Sequence, residues 1–359
     1  MRSTSTAIVL SALASLASTV VSAGQFKYAG VSEAGAEFAP NSLPGVLGKD
    51  YAYPTIASLD FFTKNGANLI RLPFLWERVQ PRLMGHLSKA ELAHIDTLVN
   101  HVTAQGKTVL LDPHNYDRYH GTVVSPAQLA DFWTRMSHRF RRNPHIAFGL
   151  MNEPNSQTTE SVLSNMQASI NAIRATGAKN LITVPGNAWT GAHSWSETWY
   201  GSSNAAVMAR ITDPANNFVY EAHQYLDGDF SGQSPSCQSA TVGVEQLAGM
   251  TAWARGLKRQ IFLGEVAGGD NALCYQALEN MFAYMRANSD VWVGFAWWGA
   301  GPLWNNYIFG VEPSANGVGT PLWNNFLKKQ FANLAKREDA DEHVHPTRPA
   351  RLEAARRLQ

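Results

Sequence analysis

Phe148-Gly149-Leu150-Met151-Asn152-Glu153-Pro154 and Ile261-Phe262-Leu263-Gly264-Glu265 are two apolar runs, each ending in a glutamate. Runs of this length read as buried strands. An acid at the end of such a strand is out of place in a core, because an unpaired buried carboxylate is costly. Eight apolar or β-rich runs of this kind recur along the chain, at residues 26–31, 68–73, 108–112, 146–151, 181–185, 219–223, 261–265 and 293–298. Helical patterns lie between most of them. Residues 88–105 repeat Leu92, Ile95, Leu98, Val99 and Val102 near a 3.6-residue period and stop at Gly106. Residues 126–140, 158–175, 242–255, 277–287 and 322–336 carry the same pattern. Strands alternating with helices predict parallel βαβ units, and eight of them predict an α/β fold of the closed (β/α)8 TIM-barrel type. The competing open, doubly wound sheet would normally show Gly-x-Gly-x-x-Gly after its first strand, and this chain has none.

The ends of the chain differ from the middle. Met1-Arg2, an apolar stretch over residues 7–16 and Val21-Ser22-Ala23 together read as a signal peptide over residues 1–23. The catalytic barrel is expected over 24–336, and the Arg-, Glu-, Asp- and His-rich residues 337–359 as a charged tail without a fold of its own. Charged residues make up 16% and the formal net charge is +1, with no basic stripe before the tail, so a nucleic-acid partner is not expected. No later run is apolar enough for a membrane span, and a secreted, extracellular monomer is the expectation. Cys237 and Cys274 are the two cysteines; in an oxidising compartment a bridge is favoured over two free thiols, although spacing alone does not show them within reach.

In a barrel of this kind, residues at the carboxyl ends of the strands converge on one face. Arg71, His114, Asn152, Glu153, His223, Tyr225, Glu265 and Trp298 all occupy such positions. Two acids are what glycosidic-bond hydrolysis requires, one to protonate the leaving oxygen and one to act as nucleophile or base. Glu153 is read as the acid/base and Glu265 as the nucleophile. Arg71 and Tyr225 would hold Glu265 ionised, Asn152 would meet a sugar hydroxyl, and His114 and His223 would orient hydroxyls or carboxylates. Trp298, rather than its neighbour Trp297, would floor the subsite beside the cleaved bond. The aromatic segment 186–200, containing Trp189 and Trp195, is expected to line the substrate cleft. His114, Asp117, His120 and His223 lack any zinc-motif spacing, and no Gly-x-Ser-x-Gly elbow occurs, so neither metal nor other cofactor is expected.

The ordered set Ile70-Arg71-Leu72-Pro73-Phe74, Asp112-Pro113-His114-Asn115-Tyr116, Gly149-Leu150-Met151-Asn152-Glu153-Pro154, His223-Gln224-Tyr225-Leu226-Asp227, Leu263-Gly264-Glu265 and Trp298-Gly299-Ala300-Gly301 resembles the retaining endoglucanases of glycoside hydrolase family 5. That resemblance implies a (β/α)8 barrel with an open cleft that cleaves internal β-1,4-glucosidic bonds of cellulose with retention. It further implies the site roles given above and a Cys237–Cys274 bridge. The same chemistry on β-1,4-mannan, xyloglucan or mixed-linkage glucan is the alternative, since fold does not settle substrate. A non-catalytic glycan-binding barrel is a third reading. No cellulose-binding module or Ser/Thr-rich linker is expected beside the barrel.

Overall fold

The computed structural model describes residues 25–331; the signal-peptide reading and the charged tail lie outside these residues. Eight parallel strands close into a barrel. They are β1 (Tyr28–Glu33), β2 (Leu69–Phe74), β3 (Thr108–Pro113), β4 (Ile146–Gly149), β5 (Leu181–Val184), β6 (Phe218–Tyr225), β7 (Ile261–Ala267) and β8 (Trp292–Ala300). Neighbours in sequence are neighbours in space, and β1 closes the ring by pairing with both β2 and β8, so that Val31 lies opposite Ile70 on one side and Trp297 on the other. Each strand falls on one of the eight expected runs, with ends displaced by no more than two residues.

The helices form where periodicity and capping agree. The helix Lys89–Thr103 starts at Ser88, whose hydroxyl accepts from the Glu91 N–H. Pro126–Phe140 starts with a reciprocal capping box between Ser125 and Gln128, which satisfies two otherwise orphaned donors. Thr159–Ala175 is capped by Thr158, and Val242–Gly256 follows the expected bounds within a residue. Ala272–Ala287 begins five residues before its apolar pattern, because Asn271 caps it by accepting from the Cys274 N–H. The helix at 321–331 contains a π-turn at Trp323–Leu327, and the rest of its expected span lies outside the described residues. Ile56–Lys64 was not among the expected helices; its apolar face is short, and Thr55 caps it.

Two apolar layers result. The larger lies between strands and helices, filled by side chains such as Phe62, Trp133, Phe148, Ile170, Leu263, Met281 and Trp297. The smaller is Leu69, Leu110, Ala147, Val219, Phe262, Val293 and Ala296, with Tyr28 and Leu181 packed against it. Every strand contributes to this second cluster, which plugs the barrel interior. Cys237, in the loop after β6, is bonded to Cys274 near the start of the helix after β7, with Cα atoms 5.2 Å apart. In the loop-entropy picture, closing a segment of 37 residues is worth about 4 kcal/mol.

Candidate active site

Side chains alternate along a strand, so the residues two steps beyond the apolar plug face the same interior one storey higher. From Leu69, Leu110, Leu181 and Val219 those positions are Arg71, Asp112, Thr183 and Glu221, and all four are buried. A polar layer thus rests directly on an apolar one. One further step gives His114 on the β3 end and His223 on β6, and Tyr225 follows. Glu265 breaks this rule, since it lies three residues from Phe262. A bulge corrects the parity: Ala222 pairs with Leu263, but His223 pairs with Glu265, so Gly264 is the extra residue and Glu265 is turned inward. Gly264 has no room for a side chain, because a Cβ there would lie 2.2 Å from Glu221 Oε1.

Arg71 is the hub of the layer. Its Nη1 donates to Glu265 Oε1 at 2.9 Å, and its Nη2 meets Asn152 Oδ1 at 2.7 Å and Asp112 Oδ2 at 2.9 Å. Tyr225 donates its hydroxyl to the other oxygen of Glu265 at 2.6 Å. Asp112 bonds His114 Nδ1 at 3.0 Å, and the far nitrogen of His114 lies 3.1 Å from Asn152 Nδ2. His223 bridges the acids: Nδ1 is 2.8 Å from Glu153 Oε1 and 3.6 Å from Glu265 Oε2, while Nε2 is 3.2 Å from Glu221 Oε1. Thr183 donates to the second oxygen of Glu221. Glu153, Glu265 and His223 each offer an atom within 4.8 Å of the others. A cation could be held at such spacing, but His223 already occupies the middle as a positive charge.

These contacts drive the two glutamates apart in proton affinity. Burial raises Glu153, the charge of Glu265 raises it further, and the bond to His223 only partly offsets this, leaving it above the usual carboxylate value. Burial also opposes ionisation of Glu265, but the charges of His223, Arg71 and His114 and the Tyr225 hydroxyl outweigh it and hold Glu265 below that value. Burial alone would deprotonate His223; Glu265, Glu153 and Glu221 overcome that and push it up to about 10. His114 is raised in the same way, against burial, mainly by Asp112. Glu153 is also held in a left-handed backbone conformation, φ 45°, which few non-glycine residues adopt.

Two adjoining cavities open over this layer. One, of about 810 Å³, is lined by Glu153, His223, Tyr225, Trp189, His193 and Trp199 among others. The second, of about 1090 Å³, is lined by His114, Trp298, Trp304, Phe38, Glu37 and others. Trp298 lies nearly parallel to His114, 12° apart with centroids at 5.3 Å, whereas Trp297 is fully buried and bonds the Phe309 carbonyl. Trp189 is 44% exposed in the first cavity. Trp195 is not in the cleft. It is fully buried, wedged between Tyr220 and Trp253, because segment 186–200 folds back against the barrel and one of its tryptophans fills the gap. Asp227 likewise turns into its own loop, accepting from the N–H groups of Gly232, Gln233 and Ser234. Sequence reasoning missed Asp112 and Glu221 as members of the layer, although each stands two residues before a histidine it had singled out. It also missed Arg118, for which no local signal exists, and did not single out His193 and Trp199, although both lie in the aromatic segment 186–200 it expected to line the cleft.

Comparison with known proteins agrees with this geometry. Residues 31–301 match the cellulase family, glycosyl hydrolase family 5. "Endoglucanase 3" of Humicola insolens is 39% identical over 309 residues, covering 85% of this chain and 78% of that protein. "Endo-beta-1,4-glucanase B" of Aspergillus niger is 41% identical over 293 residues, covering 81% and 86%. Among solved structures, an endo-beta-1,4-glucanase from Xanthomonas axonopodis pv. citri superposes with a TM-score of 0.83 at 45% identity, covering 86% of this chain and 99% of that one. With more than two thirds of its length shared at this level of identity, the chain belongs to glycoside hydrolase family 5, the cellulases.

Proposed function

We infer that this protein is an endo-β-1,4-glucanase that cleaves internal bonds of cellulose and related β-glucans with retention, using Glu265 as nucleophile and Glu153 as acid/base. The observation that carries the reading is the approach of the two carboxylates to within 4.8 Å. Retaining glycosidases hold their carboxyls about 5–5.5 Å apart, whereas inverting ones leave about 6.5–9.5 Å for a water. The opposite displacement of their proton affinities supports the same assignment.

In the first step Glu265 attacks the anomeric carbon while Glu153 passes its proton to the glycosidic oxygen, and the leaving chain departs as an alcohol. Glu153, now ionised, takes a proton from water as that water attacks the same carbon, and Glu265 is released as carboxylate. Arg71 and Tyr225 stabilise Glu265 as charge returns to it in the second step. Asn152, fixed by Arg71 and His114, is placed to bond a sugar hydroxyl, and Trp298 offers a flat face for a pyranose. β-1,4-Glucan is the substrate supported by the activities named for the relatives above.

Export of the chain is supported by its apolar leader and by the Cys237–Cys274 bridge, since such bonds persist in oxidising compartments. No helix among the described residues is long and apolar enough to cross a membrane. We take the working form to be a monomer. Replacing Glu265 with alanine is expected to abolish hydrolysis of soluble carboxymethyl-cellulose with the fold intact by circular dichroism. Azide should then restore turnover and give a product of inverted configuration. Activity of Glu265→Ala within tenfold of wild type would remove Glu265 from the mechanism.

A further inference from the structure

Arg118 lies where the two cavities meet and, with Tyr116, lines both. It starts a two-residue hairpin strand, Arg118–Tyr119, in the loop after β3. Its guanidinium is fixed at two points: Nη1 donates to the Tyr116 carbonyl at 2.7 Å, and Nη2 to the Asn155 carbonyl at 2.9 Å. Asn155 is two residues past Glu153 and donates to the Glu153 carbonyl, so the cation is held against the loop that carries the acid. A guanidinium presents five N–H donors in a rigid plane. Two carbonyls therefore leave part of the fork unused.

Arg71, Arg135, Arg139, Arg174 and Arg255 each pair with an aspartate or glutamate. Arg118, among the described residues, pairs with none. Its sequence neighbour Asp117 feels the Arg118 charge but makes no ion pair with it, its side-chain bonds going to Gln157 and Asn165. Asp229, exposed on the same cavity, is taken up by the backbone and hydroxyl of Ser231. A half-buried guanidinium held by carbonyls keeps its full charge at the cleft, and a carboxylate is the group its fork geometry matches best.

The cavity that contains Glu153 is the acceptor half, because the acid faces the departing sugar. We propose that Arg118 reads a carboxylate on the leaving segment, so that the enzyme favours β-1,4-glucan chains bearing an acidic glucose unit just beyond the scissile bond. Two sources share that chemistry: an aldonate at the reducing end of a short chain, and a uronate formed by oxidation at C6. The proposal rests on the endoglucanase reading, and cleavage of neutral cellopentaose by the wild type tests that reading separately.

The experiment compares kcat/KM for neutral cellopentaose, cellopentaose oxidised to the aldonate, and cellopentaose carrying a C6 carboxylate, in wild type and Arg118→Gln. The expected result is an acidic-to-neutral ratio above one in the wild type that falls at least about tenfold in the variant, the scale of one charge-assisted hydrogen bond. An effect confined to the aldonate, or to the C6 acid, supports the proposal and identifies the source. Equal losses on all three substrates would overturn it and leave Arg118 as a tether between loops. Should Arg118→Gln fail to fold, the wild type decides: the ratio must fall as salt is raised, and a salt-independent ratio refutes the proposal.

Discussion

Replacing His223 with asparagine removes a positive charge that touches both glutamates, and the consequence can be worked from two distances. Activity requires Glu265 ionised and Glu153 protonated, so the acid limb of the pH profile follows Glu265 and the alkaline limb follows Glu153. With its own titration pushed up to about 10, His223 is a cation throughout that window. It lies 2.8 Å from Glu153 and 3.6 Å from Glu265, and its charge lowers the proton affinity of both. For Glu265, one unit charge at this range contributes about 5 kcal/mol at an effective dielectric of 20 and about 1 kcal/mol if water fills the gap. That corresponds to roughly one to three pH units. For Glu153, loss of a charge-assisted hydrogen bond of about 1.5–3 kcal/mol gives one to two units.

Both limbs are therefore expected to move to higher pH in His223→Asn, carrying the whole bell with them. The measurement is kcat/KM against pH with a soluble chromogenic cello-oligosaccharide, where each limb is fitted separately. Limbs that stay in place, or that move in opposite directions, would refute the account of His223 as a shared cation between the two acids.

Two further outcomes follow from buried groups. Burial pushes Asp117 up to about 6 despite the bonds from Gln157 and Asn165. The folded state thus holds this proton more tightly than the unfolded one, a contribution fully present below about pH 4 and lost as pH rises through 6, about 3 kcal/mol in all. Asp117→Asn should flatten that slope and raise the urea midpoint at pH 7; an unchanged pH dependence of the midpoint would exclude Asp117 as its source. Gly264→Ala puts a Cβ 2.2 Å from Glu221 Oε1 at the bulge that aims Glu265. A displacement of about 1 Å at the nucleophile is enough for a loss of roughly a hundredfold, so kcat should fall by at least that much, and near-normal kcat would mean the bulge does not set its aim.

What could be seen in the sequence, and what could not, divides along a physical line. Apolar runs and helical periods depend on neighbours in the chain, so all eight strands and most helices were visible there. Strand-end position also picked out Arg71, His114, Asn152, His223 and Tyr225, which the fold gathers around the two glutamates. The inward turn of Glu265 was invisible, because simple alternation from Phe262 puts it on the wrong face and only the bulge at Gly264 reverses that. Trp189 and Trp195 share one segment and one composition, yet one is 44% exposed and the other fully buried. Their fates are decided by Trp253 and Tyr220, which come from elsewhere in the chain. Arg118 had no signal either, since its importance lies in having no acidic partner, a property of three-dimensional neighbours.

The layer also explains how a buried acid can be kept protonated without a device dedicated to it. Asp112, Glu221 and Glu265 are each in contact with at least one of Arg71, His114 and His223. Burial makes every such contact stronger than it would be in water. Glu153 is the fourth acid, and its ionisation would add a negative charge that no further base stands ready to match. Its partner His223 is already engaged with Glu221 and Glu265. The proton on Glu153 thus spares the site a further buried negative charge. Once the leaving oxygen takes that proton and Glu265 loses its charge to the sugar, the net charge of the layer is unchanged: the negative charge has moved from Glu265 to Glu153 across less than 5 Å. His223, in contact with both, stabilises the charge at either end of that path. This is why the histidine, rather than either glutamate's separate surroundings, is the residue on which the pH behaviour of the whole site should turn.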